Sequence, residues 1–250
     1  STYSESLNMI NSMRQRRILI VDPCIANRSA SMKHFVRSIP ALHARGWRFE
    51  CWTQELEPGL ESFMEKITRF PALPCLRFLD SYFFQFFCYL KYVAGSKRRD
   101  LMTYSCGGFH PSPEFIAIHF SHLDFQNRLK QFPKELRLGW LKRLNSRFGA
   151  MLDRRMFKSR TNCAYLPVSE SVANDVRKQT PAETRVEVFP NTCDPFRFSL
   201  EMRERHRDSS RREWNIQDGT TLFAFVSAGH YERKGLLQAV EIIRKVRLHA

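Results

Sequence analysis

Many familiar signatures are missing from this 250-residue chain. Its seven cysteines are scattered without a CxxC pair, which argues against a disulfide framework or structural zinc and favours a reducing compartment. No N-terminal run has signal-peptide character, because Ser1–Arg17 is polar and then basic. The most apolar stretch, Phe78–Ala94, is too short to span a bilayer and is interrupted by Asp80, Gln85 and Lys91. There is no HExxH, P-loop or nucleophile elbow, and nothing suggests a protein metal site. The first strand-to-helix loop, Pro23–Ser31, has no glycine, which rules against a G-x-G-x-x-G dinucleotide fingerprint.

Acidic residues are also scarce. Against 25 Asp and Glu stand 40 Lys and Arg, a net charge of +15. The excess implies an anionic partner: nucleic acid, a phosphorylated small molecule or an anionic lipid surface. Much of it sits in the patches Arg14–Arg17, Lys97–Arg99, Lys142/Arg143, Arg154/Arg155 and Arg203–Arg212. What is plentiful is apolar: 43% of residues, including 21 Phe, enough to bury a core and to exclude wholesale disorder. The expected compartment is the cytoplasm, with peripheral contact at the inner face of the cell membrane.

Arg17-Ile-Leu-Ile-Val-Asp22 has the continuous apolar character of a strand in a parallel sheet. Ser29 or Ser31 is placed to cap a helix carrying Phe35, Val36, Ile39 and Leu42, with Pro40 expected to kink it or move its boundary. Arg45-Gly46 ends that helix. Trp47–Thr53 follows as a strand with Phe49 and Cys51 on one face and Trp52 on the other. Helical stretches are expected near Leu60–Arg69 and Cys75–Ala94, the aromatic run Tyr82–Tyr92 being read as a buried core helix. Strands are expected at Asp100–Tyr104, Phe115–His119, Asn162–Val168 and Arg185–Phe189. Helices are expected over Phe125–Lys158 and after the N-cap Ser169. The segment Asp194–Arg212 reads as a linker or exposed helix. After it Thr220–Ser227 reads as a strand, Gly229–Gly235 as a loop and Leu236–Leu248 as a helix. The alternation of strands and helices defines an α/β protein.

Three segments fall in a recognisable order: Val168-Ser-Glu-Ser, then Val188-Phe-Pro-Asn-Thr-Cys-Asp194 with Phe196 and Phe198, then Ala228-Gly-His-Tyr-Glu-Arg-Lys-Gly235. In order and spacing, over about residues 160–240, the set resembles the retaining glycosyltransferases of the GT-B fold, family-four type. Three departures stand out. His230 occupies a place where many relatives have Arg, Thr192 and Cys193 replace a glycine and an aliphatic residue, and the first loop lacks its glycines. The resemblance implies a complete N-terminal Rossmann-like, acceptor-side domain over residues 1–190 and a crossover over 191–214. It implies that residues 215–250 hold only the first strand and helix of a second Rossmann-like, nucleotide-sugar-binding domain, truncated at the end of the chain.

The residue assignments follow from that resemblance and from the local chemistry. Gly229 lets the backbone approach a ligand, and a helix starting near Lys234 offers free N–H groups and a positive dipole end. Arg233 and Lys234 are therefore the donor-diphosphate clamp, neutralising charge as the glycosidic bond breaks. His119, closing a strand, is the candidate catalytic residue, because ligands in such sheets bind beyond the carboxyl ends of the strands. His122, Gly107, Gly108, Asn27 and Arg28 are candidate acceptor or cleft residues, while Asn191 and Asp194 shape the crossover turn. The expected activity is transfer of a sugar from a nucleoside-diphosphate sugar, UDP-sugar first, to an acceptor hydroxyl with retention. It would need no metal or other cofactor, and these 250 residues alone would have little activity. The expected partners are the donor, a glycan or lipid-linked acceptor of cell-envelope or glycoconjugate synthesis, and an anionic membrane. The alternatives are a basic nucleic-acid-binding α/β module, or a GT-B relative that hydrolyses or epimerises sugar nucleotides.

Overall fold

The computed structural model describes residues 16–72, 79–95, 101–129, 140–159, 162–227, 231 and 234–247. The chain divides into one compact unit through Asn191 and a second from Thr192 onward.

The first unit is built on a parallel sheet. Strands β1 (Arg17–Val21), β3 (Arg48–Thr53), β5 (Met64–Arg69), β6 (Met102–Cys106), β7 (Phe115–Ile118) and β8 (Ala164–Pro167) lie in the order β5-β3-β1-β6-β7-β8. Every neighbouring pair is parallel. The two shorter strands β2 (Cys24–Ile25) and β4 (Glu55–Leu56) pair beside this sheet.

β1 has no wet face. Ile18 and Ile20 enter one core with Phe49, Cys51 and Tyr104, closed by Val36 and Ile39 of helix α1 (Lys33–Ala44). Leu19 and Val21 enter the opposite core with Trp52, Phe84 and Cys88, the last two from helix α2 (Asp80–Val93). The expected division of β3, with Phe49 and Cys51 against Trp52, is therefore the division between the two cores. A third cluster joins Ile116, Ile118 and Tyr165 to Phe157 and Val176. Tyr165 is fully buried, and its hydroxyl donates to the Met156 carbonyl at 3.1 Å. These layers are completed by helices α3 (His122–Leu129), α4 (Trp140–Ser159) and α5 (Glu170–Arg177). Ser169 caps α5 as expected, its hydroxyl accepting from Val172 N at 3.3 Å.

α1 ends where Arg45-Gly46 predicts. Gly46, at φ +87°, donates to His43 O at 2.9 Å while Trp47 N reaches Leu42 O at 3.1 Å, the paired closure that a left-handed residue permits. Pro40 neither ends the helix nor shifts its boundary. Its N-cap is Met32 rather than Ser29 or Ser31, and those two hydroxyls lie 3.1 Å from each other.

The larger departure is Leu60–Arg69. Leu60, Phe63, Met64 and Ile67 have helical spacing, yet only Glu61–Phe63 forms a short 3-10 turn and Met64–Arg69 is strand β5. The outer backbone groups of β3 need partners, and ladder pairing overrides the local pattern. The burial expected of the aromatic helix also holds only on one side. Phe84 and Cys88 of α2 are buried, whereas Phe86, Tyr89, Leu90 and Val93 are about half exposed. Arg185–Phe189 lies along the outer edge of β8, with Tyr165 N donating to Arg185 O and Phe189 N to Pro167 O. Only one ladder bridge, Tyr165 to Val186, forms there.

In the second unit, Asp194 accepts from Phe196 N at 3.0 Å and Arg197 N at 3.3 Å, the conformational role its turn suggested. Helix α6 (Leu200–Glu213) is capped by Ser199 and buries none of its residues. Its Arg211 closes the following turn on Gln217 O and Thr220 O at 2.6 and 3.0 Å. Thr220–Ser227 forms no ladder. A strand exists only with a hydrogen-bonded neighbour, and no described residue supplies one. Helix α7 (Leu236–Arg247) does form.

Candidate functional site

The direction of the sheet order reverses between β1 and β6, so the crossover connections diverge there and leave a crevice beyond the carboxyl ends of the strands. Beside this point a cavity of about 980 Å³ opens within the first unit. Cys106, Gly107 and Gly108 border it from the end of β6, and His119 and Phe120 from the end of β7. Tyr82, Phe86 and Tyr89 of α2 face Phe148, Leu152 and Asp153 of α4 across it. This volume lies at the upper end of the range of small-molecule sites.

Gly107 and Gly108 take φ values of +64° and +74°, a consecutive left-handed pair that side-chain-bearing residues would resist. The loop is pinned on both sides. Gly107 N donates to Ala117 O at 3.1 Å, and Gln85 of α2 donates to Gly108 O at 3.5 Å. Further on, buried His110 accepts from Ser112 N through Nδ1 at 3.2 Å, with its ring 5.3 Å from Trp52 and 5.5 Å from Tyr92.

His119 is half-buried. Burial, and then the proximity of His34 on α1, push its pKa below the ordinary histidine value, so its imidazole is neutral at neutral pH. A neutral imidazole can accept a proton or hydrogen-bond a hydroxyl. His122 sits at the first turn of α3, where Asp153 of α4 accepts from its backbone N–H at 2.7 Å. Burial raises the Asp153 carboxyl, while the charge of His122 and the N–H groups of His122 and Leu123 draw it down. The His122 ring packs on Gly149, where an added Cβ would lie 2.7 Å from ring carbon Cγ.

Asn27 and Arg28 are placed differently. Neither is in the cavity wall. Asn27 gives its backbone and side-chain N–H groups to Glu57, and Arg28 forks onto Glu55, so both tie the glycine-free first loop to β4 and the residue that follows it. Lys234 is exposed immediately before Gly235 and α7, in the second unit. Gly229 and Arg233 lie outside the described residues. Thus Gly107, Gly108, His119 and His122 meet at one cavity of the first unit, and Asn27 and Arg28 do not line it. No group of three metal-ligating side chains occurs among the described residues.

The sequence reading missed Asp22. It follows β1 directly at the switch point, is 3% exposed, and accepts from Cys24 N through Oδ1 at 2.8 Å. Burial pushes its carboxyl up to about 7, against the opposing effect of that N–H, and its charge acts on Tyr104 and Cys106. The available signal was an acid closing an otherwise apolar strand.

No protein-family model matches the chain. A search of curated proteins returns no match. Among solved structures the chain is similar to WaaG, a glycosyltransferase involved in lipopolysaccharide biosynthesis. The two are 16% identical with a TM-score of 0.63, over 90% of this chain and 58% of that one. This chain therefore spans less than two thirds of that protein's length. The similarity establishes the fold: α/β, with the Rossmann-like parallel sheet of a GT-B glycosyltransferase.

Two substitutions test the electrostatics at the end of β1 and the packing of the cavity wall. The folded-state pKa of Asp22, about 7, stands above its ordinary value of 3.8, so folding favours the protonated form. That contribution is complete below the unfolded value and is lost as pH rises through the folded one. Asp22→Asn keeps an acceptor for Cys24 and removes the ionisation. In urea unfolding across this range the parent should lose stability relative to the variant, by a few kcal/mol in all. A gap that does not change with pH would contradict a buried neutral Asp22. Gly149→Ala should cost about 1–3 kcal/mol by overpacking the His122 ring, seen as a lowered urea midpoint.

Proposed function

We propose that this chain carries the acceptor side, and the beginning of the donor side, of a retaining glycosyltransferase. The observation that supports this most directly is the cavity at the carboxyl ends of β6 and β7, bordered by His119 and the Gly107-Gly108 pair, in a GT-B-type sheet. Residues there can receive a polyhydroxylated acceptor. The glycine backbone allows close approach, and the neutral His119 ring can orient the attacking hydroxyl.

The donor is a nucleoside-diphosphate sugar, with UDP-sugars the first choice. As the anomeric carbon passes from the diphosphate to the acceptor oxygen, the bond to the diphosphate breaks, negative charge builds on that leaving group, and the acceptor hydroxyl gives up its proton to the departing phosphate oxygen. Arg233 and Lys234, ahead of α7, stabilise the diphosphate without a metal ion. The acceptor on this reading belongs to cell-envelope glycan synthesis, a reading supported by the similarity to WaaG, a glycosyltransferase involved in lipopolysaccharide biosynthesis.

Calorimetric titration of UDP-, GDP- and ADP-sugars tests the donor assignment. One nucleotide should bind preferentially, and Arg233→Ala and Lys234→Ala should each weaken it at least about tenfold, the scale of a lost charge-assisted contact. Parent-like affinity in both variants would remove these residues from the donor site.

A further inference from the structure

α4 carries apolar side chains on its exposed face as well as its buried one. Successive residues advance about 100° around a helix, which puts Leu144, Phe148 and Met151 on one stripe. That stripe is 58%, 41% and 55% exposed, while the opposite face buries Ser146, Gly149, Ala150 and Phe157. α2 repeats the arrangement. Its buried face carries Phe84 and Cys88, and the opposite stripe of Phe86, Leu90 and Val93 is 53%, 46% and 58% exposed. The two stripes meet. Tyr82 of α2 and Phe148 of α4 are in edge contact at 4.6 Å, and Phe86, Tyr89 and Phe148 all border the cavity.

The charge around this apolar band has one sign. Arg143, Arg147, Arg154, Arg155 and Lys158 of α4 are all exposed. The acid of that helix, Asp153, is turned to the backbone of His122. The acid of α2, Asp80, accepts from Gln54 at 2.9 Å. A second copy of this chain would bring one such cationic face against another. A nucleic acid would leave the apolar stripes in water. An anionic lipid surface satisfies both features, with side chains entering the headgroup–acyl boundary and cations meeting headgroup phosphates.

We infer that the α2–α4 face is a docking surface for an anionic bilayer, and that docking sets the cavity mouth at the membrane. The inference stands apart from the transferase reading, because its test needs neither donor nor acceptor. Co-flotation of the 250-residue chain with phosphatidylglycerol-containing vesicles should show binding that falls with added salt and is about tenfold weaker on pure phosphatidylcholine. Leu144→Glu with Met151→Glu should weaken binding about tenfold, and Arg147→Glu with Arg154→Glu should also flatten its salt dependence. These positions are exposed, so circular dichroism and the unfolding midpoint should match the parent. Failure to bind anionic vesicles overturns the inference, as does parent-like binding by both double variants. Dimerisation of the parent that Leu144→Glu with Met151→Glu abolishes, without vesicle binding, would assign the face to a second copy instead.

Discussion

Everything in the first unit depends on the burial of β1 on both sides. Four of its residues, Ile18–Val21, feed two cores by simple alternation, so each face of the sheet must be covered, as it is in parallel sheets generally. A strand with no wet face cannot slip by one residue without exchanging the cores, which pins the register of β3 and β6 on either side. The strand order reverses beside it, and the candidate cavity opens next to that point, at the ends of β6 and β7. Asp22 marks the end of this constraint. The chain leaves the sheet with a carboxyl that has lost its water, held by a single backbone N–H from Cys24.

The cavity shows how helices placed for packing also shape a site. α4 approaches α3 closely because Gly149 has no side chain, and the same helix supplies Asp153 to satisfy the first N–H groups of α3. His122 is thereby fixed in the wall as a consequence of helix packing. The left-handed pair Gly107-Gly108 is the counterpart on the strand side, a place where the backbone itself borders the space. The outward apolar stripes of α2 and α4 make no sense as core. On the inference drawn above, an anionic bilayer approaches them from the side of the cavity's margin.

Much of this was legible from residue pattern alone. The apolar run ending at Asp22, the Gly46 closure of α1, the two-faced β3 and the Ser169 cap all follow from local chemistry, and each is present in the fold. Leu60–Arg69 was not legible, because its helical spacing is real and the demand that overrides it comes from β3, a segment that becomes its ladder partner only on folding. α2 misled for a related reason. Residues apolar all round a helix read as buried, but burial requires partners on every side, and the sheet provides one. Asn27 and Arg28 had the right chemistry for ligand contact, yet Glu57 and Glu55 hold them. Nothing in sequence spacing announces those carboxylate partners. His119, His122 and the two glycines gather at one cavity because strand ends in a parallel sheet all point the same way.

The central claim is that ligands are received at the carboxyl ends of the strands. Amide chemical-shift mapping by NMR during titration with the preferred nucleotide-sugar and a polyhydroxylated acceptor tests it most directly. The account predicts that acceptor-induced shifts concentrate at Gly107, Gly108, His119 and His122, and donor-induced shifts at Lys234 and Gly235. Shifts gathered instead at the amino ends of the strands, near Arg17, Met102 and Phe115, would contradict it.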